Sequence, residues 1–506
     1  MWCQQAAIRA GWLRRPVFVA QSNNHPGVCF APMVVPSPER IREALNGGLP
    51  RAKGDEHIIV IGAGMAGLVA ASELLHAGYR VSVLEGQQRV GGRVFTLREP
   101  FTEGLYGEAG AMRIPRAHDL TLHYVEKFGL ATKPFTMGNP KAWTYIHGHK
   151  VRMGEFSNEL HATGFELAEE ERMYAVIERW SRTLQPLFER IKTGGADAWI
   201  SLAKELDQFS LHEFLESRGW SQGAIELYVL FSGMEPFLNS AFMEILREEA
   251  GDWFSNVVYI AGGMDQLPRA FLPELMPHIR FGAKVSAIAQ ASDGVTVQFQ
   301  GPAGRSALSG TAAVVALPFP VLRHIEITPA VSLGKQRAIR QLHYDAASKV
   351  FLQSRTRFWE ENDGIVGGGT VTDLPIRQLY YPDHGKQTGR GVLLASYTWS
   401  EDAQRWGSLS PNDRLTQAIE NVAVIHPEIR ENFEVGASKM WHDDEFAGGA
   451  YALFDPGQQT HLFSHIISPE GRLFFAGEHA SLAHGWIQGA IESGLRAAIE
   501  VTHSRS

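Results

Sequence analysis

The spacing of hydrophobic and polar positions changes several times along the chain, and these changes predict a βαβ unit near its start. Residues 57–61 form a continuous apolar run, as in a buried strand. Residues 68–76 repeat their apolar positions at helical spacing, and residues 80–85 form a second strand-like run that ends in an acid. A short helix is predicted before this unit, at residues 39–45.

The rest of the chain alternates between helical and strand-like patterns. Residues from about 155 to 250 predict helices, and residues 279–317 predict strands with a turn at 292–294. Further strands are expected at 377–381, 392–397 and 472–476, followed by a helix from about 486 to 501. The apolar residues that share one face of this last helix are Ile487, Ala490, Ile491, Leu495, Ala498 and Ile499.

Composition narrows the class of protein. A length of 506 residues allows about three structural units, and 44% of the residues are hydrophobic. Both cysteines, Cys3 and Cys29, lie near the start, so the body can hold no disulfide framework, thiolate metal site or catalytic cysteine. We predict no metal centre. A net charge of −8 with interspersed signs argues against a nucleic-acid partner, and no apolar run is long enough to predict a membrane span.

The first 38 residues differ from the rest because they contain arginines but no Asp or Glu. We expect a disordered or loosely attached extension, with an organelle transit peptide or a secretory signal as the alternatives. The expected location is cytoplasmic. The composition of this extension leaves secretion and organelle import open.

A glycine motif occupies the turn between the first predicted strand and its helix. In Gly62-Ala63-Gly64-Met65-Ala66-Gly67, the first glycine permits a tight turn, the second lets a pyrophosphate approach, and the third lets helix and strand pack closely. Glu85, at the end of the next strand, can accept hydrogen bonds from a ribose and disfavours a 2′-phosphate. These features predict a dinucleotide site.

The sequence after Glu85 indicates which dinucleotide. Arg89-Val90-Gly91-Gly92-Arg93 resembles the RxGGR element of the flavin amine oxidase family, and residues 474–479 (FFAGEH) resemble that family's second FAD motif. The resemblance covers about residues 38–503 and implies bound FAD. The residues predicted to contact the cofactor are Gly62, Gly64, Met65, Ala66, Gly67, Glu85, Gly86, Arg93, Gly110, Ala111, Met112, Arg113, Val285, Gly477, Glu478, Trp486 and Ile487.

Three segments resemble the L-amino acid oxidase branch of this family. Residues 110–115 (GAMRIP) resemble its GxMR(I/L)P element, which implies that Arg113 binds the substrate carboxylate. Tyr397, in 393–397 (LLASY), is the implied second contact, with Tyr380 and Tyr381 as alternatives. Residues 483–486 (AHGW) match an element in which the carbonyl of Gly485 accepts from the substrate amine and Trp486 flanks the flavin.

Two further positions are interpreted through the resemblance. Lys349 matches the family lysine that holds a water against flavin N5 and assists O2. Monoamine oxidases carry a flavin-bonded cysteine where this chain has Ala450, so the FAD is expected to be non-covalent. Tyr451 and Trp486 match an aromatic pair that lines the substrate site, with Ala450 beside it.

The implied activity is oxidation of L-amino acids by hydride transfer from Cα to flavin N5. Oxygen then takes the electrons to give hydrogen peroxide, and the imino acid hydrolyses to a 2-oxo acid and ammonia. An amine oxidase for substrates without a carboxylate, an amino-acid 2-monooxygenase and a non-catalytic flavoprotein are the alternatives. A general base role for His484 stays open, as does a charged pocket wall at residues 246–249 that prefers basic side chains.

The expected fold is α/β, with a discontinuous Rossmann-like FAD domain, a mixed α+β substrate domain and a helical insertion. The FAD domain is assigned to 39–115, 263–350 and 440–506, the substrate domain to 116–150 and 351–439, and the helical domain to 151–262. Family members often dimerise, so a homodimer or higher homo-oligomer is expected.

Overall fold

The computed structural model describes residues 38–155, 164–173 and 175–504. The predicted N-terminal extension lies outside these residues except for Pro38. That residue begins the first described helix, Pro38–Gly47, where the sequence predicts residues 39–45. Within the described residues, no helix is both long and apolar enough to cross a membrane.

A five-stranded parallel sheet lies at the centre of the fold. Its order is Ile279–Arg280, Arg80–Leu84, His57–Ile61, Ala312–Val315 and Leu473–Phe475. His57–Ile61 and Ala312–Val315 are entirely buried, which explains why they are read as continuous apolar runs. Strands from three distant parts of the sequence therefore share one sheet, in agreement with the predicted α/β class and its discontinuous domain.

Two helices pack against each other beside this sheet. Met65–His76 follows the first strand, and Ile487–His503 is the last helix described. A Cβ on Gly494 would lie only 2.4 Å from the carbonyl oxygen of Ala66, so glycine is required for this close approach. The helix Met65–His76 begins at Met65, where the sequence predicts residue 68, because Gly64 already has the extended backbone of an N-cap.

A second, seven-stranded sheet carries the other half of the candidate site. Its order is Phe433–Met440, Ala347–Ser354, Gly391–Trp399, Gln378–Tyr380, Gly369–Thr372, Trp143–Ile146 and His149–Arg152. All neighbours are antiparallel except Gly369–Thr372 and Trp143–Ile146. The predicted domain boundary at residue 350 falls inside Ala347–Ser354, and the predicted boundary between residues 439 and 440 falls at the end of Phe433–Met440.

The helical segment contains Val176–Leu206, Leu211–Ser217, Gln222–Ser232 and Phe242–Ala250. One part of it differs from the prediction. Val257–Ile260, assigned to the helical domain, is a buried strand that pairs with Ile114–Pro115 and Thr132–Pro134. Its four consecutive apolar residues suit a strand covered on both faces, and this pairing fixes the backbone directly after Arg113.

A four-stranded sheet follows the order Gly304–Gly310, Val295–Gly301, Lys284–Gln290 and Glu326–Thr328. The sequence prediction did not identify the first of these strands, because Gly304–Gly310 is largely exposed and lacks apolar alternation. The remaining longer helices are Asp119–Lys127, Leu333–Gln341, Ser400–Gly407, Pro411–Ile425 and Gln458–Ile467, and the short strand pairs are Thr96–Leu97 with Gly107–Glu108 and Tyr344–Asp345 with Tyr451–Ala452.

Candidate active site

The glycine loop at the end of the first strand leaves open space beside its backbone. Gly62 has φ +101°, and a Cβ there would lie 2.8 Å from the carbonyl oxygen of Ala316. A Cβ on Gly67 would lie 1.9 Å from the carbonyl oxygen of Gly62, so the third glycine brings the helix against the turn. Gly64, in contrast, has no heavy atom within 4 Å of its Cβ position. The loop thus presents an accessible backbone at a helix N-terminus.

Glu85 closes one end of this region. Its carboxylate accepts hydrogen bonds from the backbone N–H of Ala63, at 2.7 Å, and of Gln87, at 2.8 Å. Burial raises the pKa of Glu85, and the two amide donors oppose that shift. The acid is therefore held rigidly against the glycine loop.

An ion pair joins the two FAD-like motifs. Arg93 Nη1 donates to Glu478 Oε1 at 2.7 Å and to the carbonyl oxygen of Ala450 at 3.1 Å. Glu478 also accepts from the backbone N–H of Ala452, at 3.1 Å, and of Gly485, at 3.0 Å. One buried carboxylate thereby connects three separate parts of the chain around the cavity.

Lys349 is buried on the seven-stranded sheet. Its ammonium donates to the carbonyl oxygens of Glu108, at 2.8 Å, and Gly110, at 2.7 Å. Burial lowers the pKa of Lys349 to about 7. Lys349 pairs directly with Tyr397 on the neighbouring strand, and its Nζ lies 4.5 Å from the centroid of that ring.

Arg113 and Tyr397 lie near one another in the cavity wall. Arg113 is 8% exposed, and its guanidinium carbon is 5.8 Å from the Phe135 ring centroid and 5.7 Å from that of Phe254. Burial raises the pKa of Tyr397 to about 12, and the charge of Arg113 opposes this shift. A fixed cation and a neutral hydroxyl thus occupy the same part of the wall, with the aromatic rings beside them.

Tyr451 and Trp486 form a second part of the wall. Gly485 has φ +74°, and a Cβ added there would lie 3.3 Å from the Tyr451 ring. The Trp486 indole N–H donates to Glu248 Oε1 at 2.8 Å, and its ring lies 5.6 Å from that of Phe254. The Trp486 ring is therefore fixed by a polar contact as well as by packing.

One continuous cavity contains nearly all of the predicted site residues, although they come from distant parts of the sequence. Gly67 and Val285 do not line it. Gly67 instead supports the turn, and Val285 packs with the apolar residues of the four-stranded sheet. The predicted residues that line the cavity are Gly62, Gly64, Met65, Ala66, Glu85, Gly86, Arg93, Gly110, Ala111, Met112, Arg113, Lys349, Tyr397, Ala450, Tyr451, Gly477, Glu478, Gly485, Trp486 and Ile487.

The two alternative tyrosines lie elsewhere. Neither Tyr380 nor Tyr381 lines the cavity. The Tyr381 hydroxyl is within hydrogen-bond distance of Thr370 and His426, so it belongs to a buried polar network of the seven-stranded sheet. This arrangement favours Tyr397 among the three.

His484 lines the cavity but its Nδ1 lies 3.1 Å from the Glu244 carboxylate. Burial lowers the pKa of His484, and the adjacent Glu244 more than offsets this effect, so the pKa is raised. A histidine held by a carboxylate in this way is well suited to a structural role and poorly suited to accepting a further proton near neutral pH.

Sequence reasoning did not single out several residues of the cavity wall. Phe254 and Glu248 line it, and so does Trp441, whose indole N–H donates to the carbonyl oxygen of Ala109 at 2.8 Å. No motif identifies them, because isolated aromatic residues and surface-like charges are common in any helical segment. Glu248 belongs to residues 246–249, for which the sequence left open a charged pocket wall that prefers basic side chains.

A flavin dinucleotide fits these features. The glycine loop offers backbone N–H groups to phosphates, Glu85 offers a carboxylate to a ribose, and the space beside Gly64 is where a Cβ would otherwise intrude. The same cavity is lined by the glycine loop, by Lys349 and by Trp486.

Known proteins resemble this chain over most of its length. The family of flavin containing amine oxidoreductases matches residues 65–502. YobN of Bacillus subtilis (strain 168) is 40% identical over 466 residues, covering 90% of this chain and 97% of YobN. An L-amino-acid oxidase of Siganus canaliculatus is 33% identical over 472 residues, covering 92% of this chain and 88% of that protein.

The fold is also similar to a solved structure of putrescine oxidase, wild type bound to putrescine. The TM-score is 0.72 at 20% identity, with 88% of this chain and 99% of that chain covered. This chain belongs to the flavin-containing amine oxidoreductase family. It is therefore a flavin-dependent enzyme.

Proposed function

We propose that this protein is an L-amino acid oxidase that binds FAD non-covalently and uses O2. The observation that carries the proposal is the position of Arg113, a buried cation in the wall of the cavity that also contains the glycine loop and Lys349. The relatives named L-amino-acid oxidase, which match over nine-tenths of the chain, support it.

Arg113 binds the substrate carboxylate in this proposal. Its planar guanidinium can donate two parallel hydrogen bonds to a carboxylate. Pairing of Ile114–Pro115 with Val257–Ile260 fixes the adjacent backbone, so the cation is held in place before substrate arrives. Tyr397, whose pKa is raised to about 12, stays protonated and can donate to the same carboxylate.

The glycine loop, Glu85, Arg93 and Glu478 hold the cofactor. The bound flavin would supply two-electron redox chemistry, with O2 as the final electron acceptor and hydrogen peroxide as the product. Ala450 has no group that could bond to the flavin, and within the described residues there is no cysteine at all. This supports non-covalent binding.

Lys349 holds a water in the cavity. Its two carbonyl contacts direct the ammonium, and a pKa of about 7 lets it exist in both protonation states near neutral pH. A positive charge at this position favours reduction of O2, because the superoxide and peroxide species that form are anionic. Tyr451 and Trp486 cover the apolar part of the substrate and exclude water.

The test is a peroxide assay with the twenty L-amino acids, their D-isomers and simple amines. We expect peroxide from L-amino acids only, with 2-oxo acid and ammonia as the other products. Equal rates on D-isomers, or activity on amines alone, would contradict the proposal, and an amide product would identify a monooxygenase.

Arg113→Ala distinguishes the amine oxidase alternative. Loss of a buried charged contact costs about 2–5 kcal/mol, so KM for amino acids should rise by at least about thirtyfold. Arg116→Ala, on a residue that does not line the cavity, is the matched control. Unchanged kinetics in Arg113→Ala would show that the carboxylate is not bound there.

A further inference from the structure

The helix Phe242–Ala250 places a carboxylate in the cavity wall for which the proposed reaction has no use. Glu248 lines the cavity, and Oε1 accepts from the Trp486 indole N–H. The carboxylate of Glu244, one turn earlier, is paired with Arg247 at 3.0 Å and with His484 at 3.1 Å. Over the part of the chain that the structure describes, no Lys, Arg or His lies within ion-pairing distance of Glu248.

Among the described residues, no side-chain cation pairs with the Glu248 carboxylate. Burial raises its pKa to about 7, and the nearby carboxylates of Glu244 and Glu249 add to that shift. The indole donor acts in the opposite direction but is neutral. An ionised carboxylate in such a wall is stabilised by a cation from the ligand.

The cavity separates this carboxylate from the cation that binds the substrate. The Arg113 guanidinium carbon lies 5.7 Å from the Phe254 ring centroid, and that ring lies 5.6 Å from the ring of Trp486, the partner of Glu248. Phe254 therefore lies beside both Arg113 and the indole that holds Glu248. A molecule that reaches from one to the other needs an anion at one end, a cation at the other, and an apolar middle.

We propose that Glu248 selects L-amino acids with a cationic side chain, of the lysine, ornithine and arginine class. This inference rests on the proposed function, in which Arg113 binds the α-carboxylate. The side-chain ammonium or guanidinium then pairs with Glu248, and its methylene groups pack against Phe254 and Trp486. Glu248 is in this view a specificity residue and takes no part in the chemical step.

The sharpest test compares L-arginine with L-citrulline, which has the same shape but a neutral urea group. In the wild-type protein we expect kcat/KM to be at least tenfold higher for L-arginine. Glu248→Gln retains an acceptor for the Trp486 indole and removes the charge, so the ratio should fall close to one.

Glu249→Gln is the matched control. Glu249 neighbours Glu248 on the same helix and also accepts from an indole N–H, that of Trp180, at 3.2 Å, but it does not line the cavity. Its substitution should leave the ratio unchanged. A similar fall in both variants would overturn the assignment to Glu248.

Binding provides a second readout that needs no turnover. The ligand 5-guanidinopentanoate has the carboxylate and guanidinium but no α-amine, and 5-ureidopentanoate is its neutral counterpart. We expect at least tenfold tighter binding of the first, measured by tryptophan fluorescence, and loss of this difference in Glu248→Gln. Equal affinities in the wild-type protein would overturn the inference.

The outcomes separate the two proposals. If L-citrulline is oxidised as well as L-arginine, the inference fails and the proposed function stands. If Glu248→Gln lowers kcat/KM equally for both substrates, Glu248 serves every substrate and does not select. If no amino acid yields peroxide, the proposed function fails, and the ligand pair still decides whether Glu248 binds a cation.

Discussion

The Glu478 carboxylate should stabilise the protein even without cofactor, and Glu478→Gln tests this directly. Oε1 accepts from Arg93 and Ala452, and Oε2 accepts from Gly485. The glutamine side chain has only one acceptor oxygen, so its NH2 group would face one of these donors and could not accept a hydrogen bond from it. Arg93 then also loses the negative charge that it pairs with.

The magnitude follows from these contacts. Breaking a buried ion pair by removing one partner costs about 3–5 kcal/mol. For about 460 described residues, an unfolding entropy of about 2.1 cal/mol/K per residue gives about 1 kcal/mol/K. We therefore expect the melting temperature to fall by about 3–5 °C.

The assay is thermal unfolding of the flavin-loaded and the flavin-stripped protein, with flavin content followed by absorbance near 450 nm. Glu492→Gln is the control. Glu492 accepts from the Ser481 hydroxyl at 3.2 Å, and burial raises its pKa, so a neutral amide resembles its preferred form and should cost less than about 1 kcal/mol. A fall confined to the flavin-loaded protein, or an equal fall in both variants, would refute the reasoning.

Three further predictions concern the cavity. Acid precipitation should release the flavin into the supernatant, because Ala450 offers no bonding atom; yellow colour retained in the pellet would contradict this. Lys349→Met should slow reoxidation of the reduced enzyme by O2 at least tenfold in rapid-mixing experiments, with a smaller effect on anaerobic reduction, and the reverse order would contradict its assigned role. The L-arginine to L-citrulline ratio should rise between pH 6 and 8, because burial raises the pKa of Glu248 to about 7 and only the ionised form pairs with a cation, whereas a flat ratio would count against that pairing.

The sequence predicts the central sheet well and the contacts around it less well. His57–Ile61 and Ala312–Val315 are buried on both faces, so their apolar runs are unambiguous. Ile114–Pro115 has only two residues, and its pairing with Val257–Ile260 is a long-range contact that no local pattern reveals. The predicted helical domain, 151–262, for that reason includes this strand.

The candidate site shows the same division. The residues in motifs, such as Gly64 and Arg113, were identified because their spacing carries chemical information. Glu248 and Phe254 have no such signal, since only the fold brings them to the cavity wall. Val285, expected from resemblance alone, does not line the cavity and packs with the apolar residues of the four-stranded sheet, so its cofactor contact stays a prediction.

The contact between Gly494 and Ala66 affects when the cofactor site can form during synthesis. The strand Leu473–Phe475 and the helix Ile487–His503 complete a sheet and a helix pair that begin at residue 57. At about 5–20 residues per second, roughly 400 residues separate the two ends by about 20–80 s. Ala312–Val315 lacks its partner Leu473–Phe475 while roughly 160 further residues are made, about 8–32 s, so one edge of the sheet is unpaired for that time. Flavin loading must follow release of the last described helix from the ribosome.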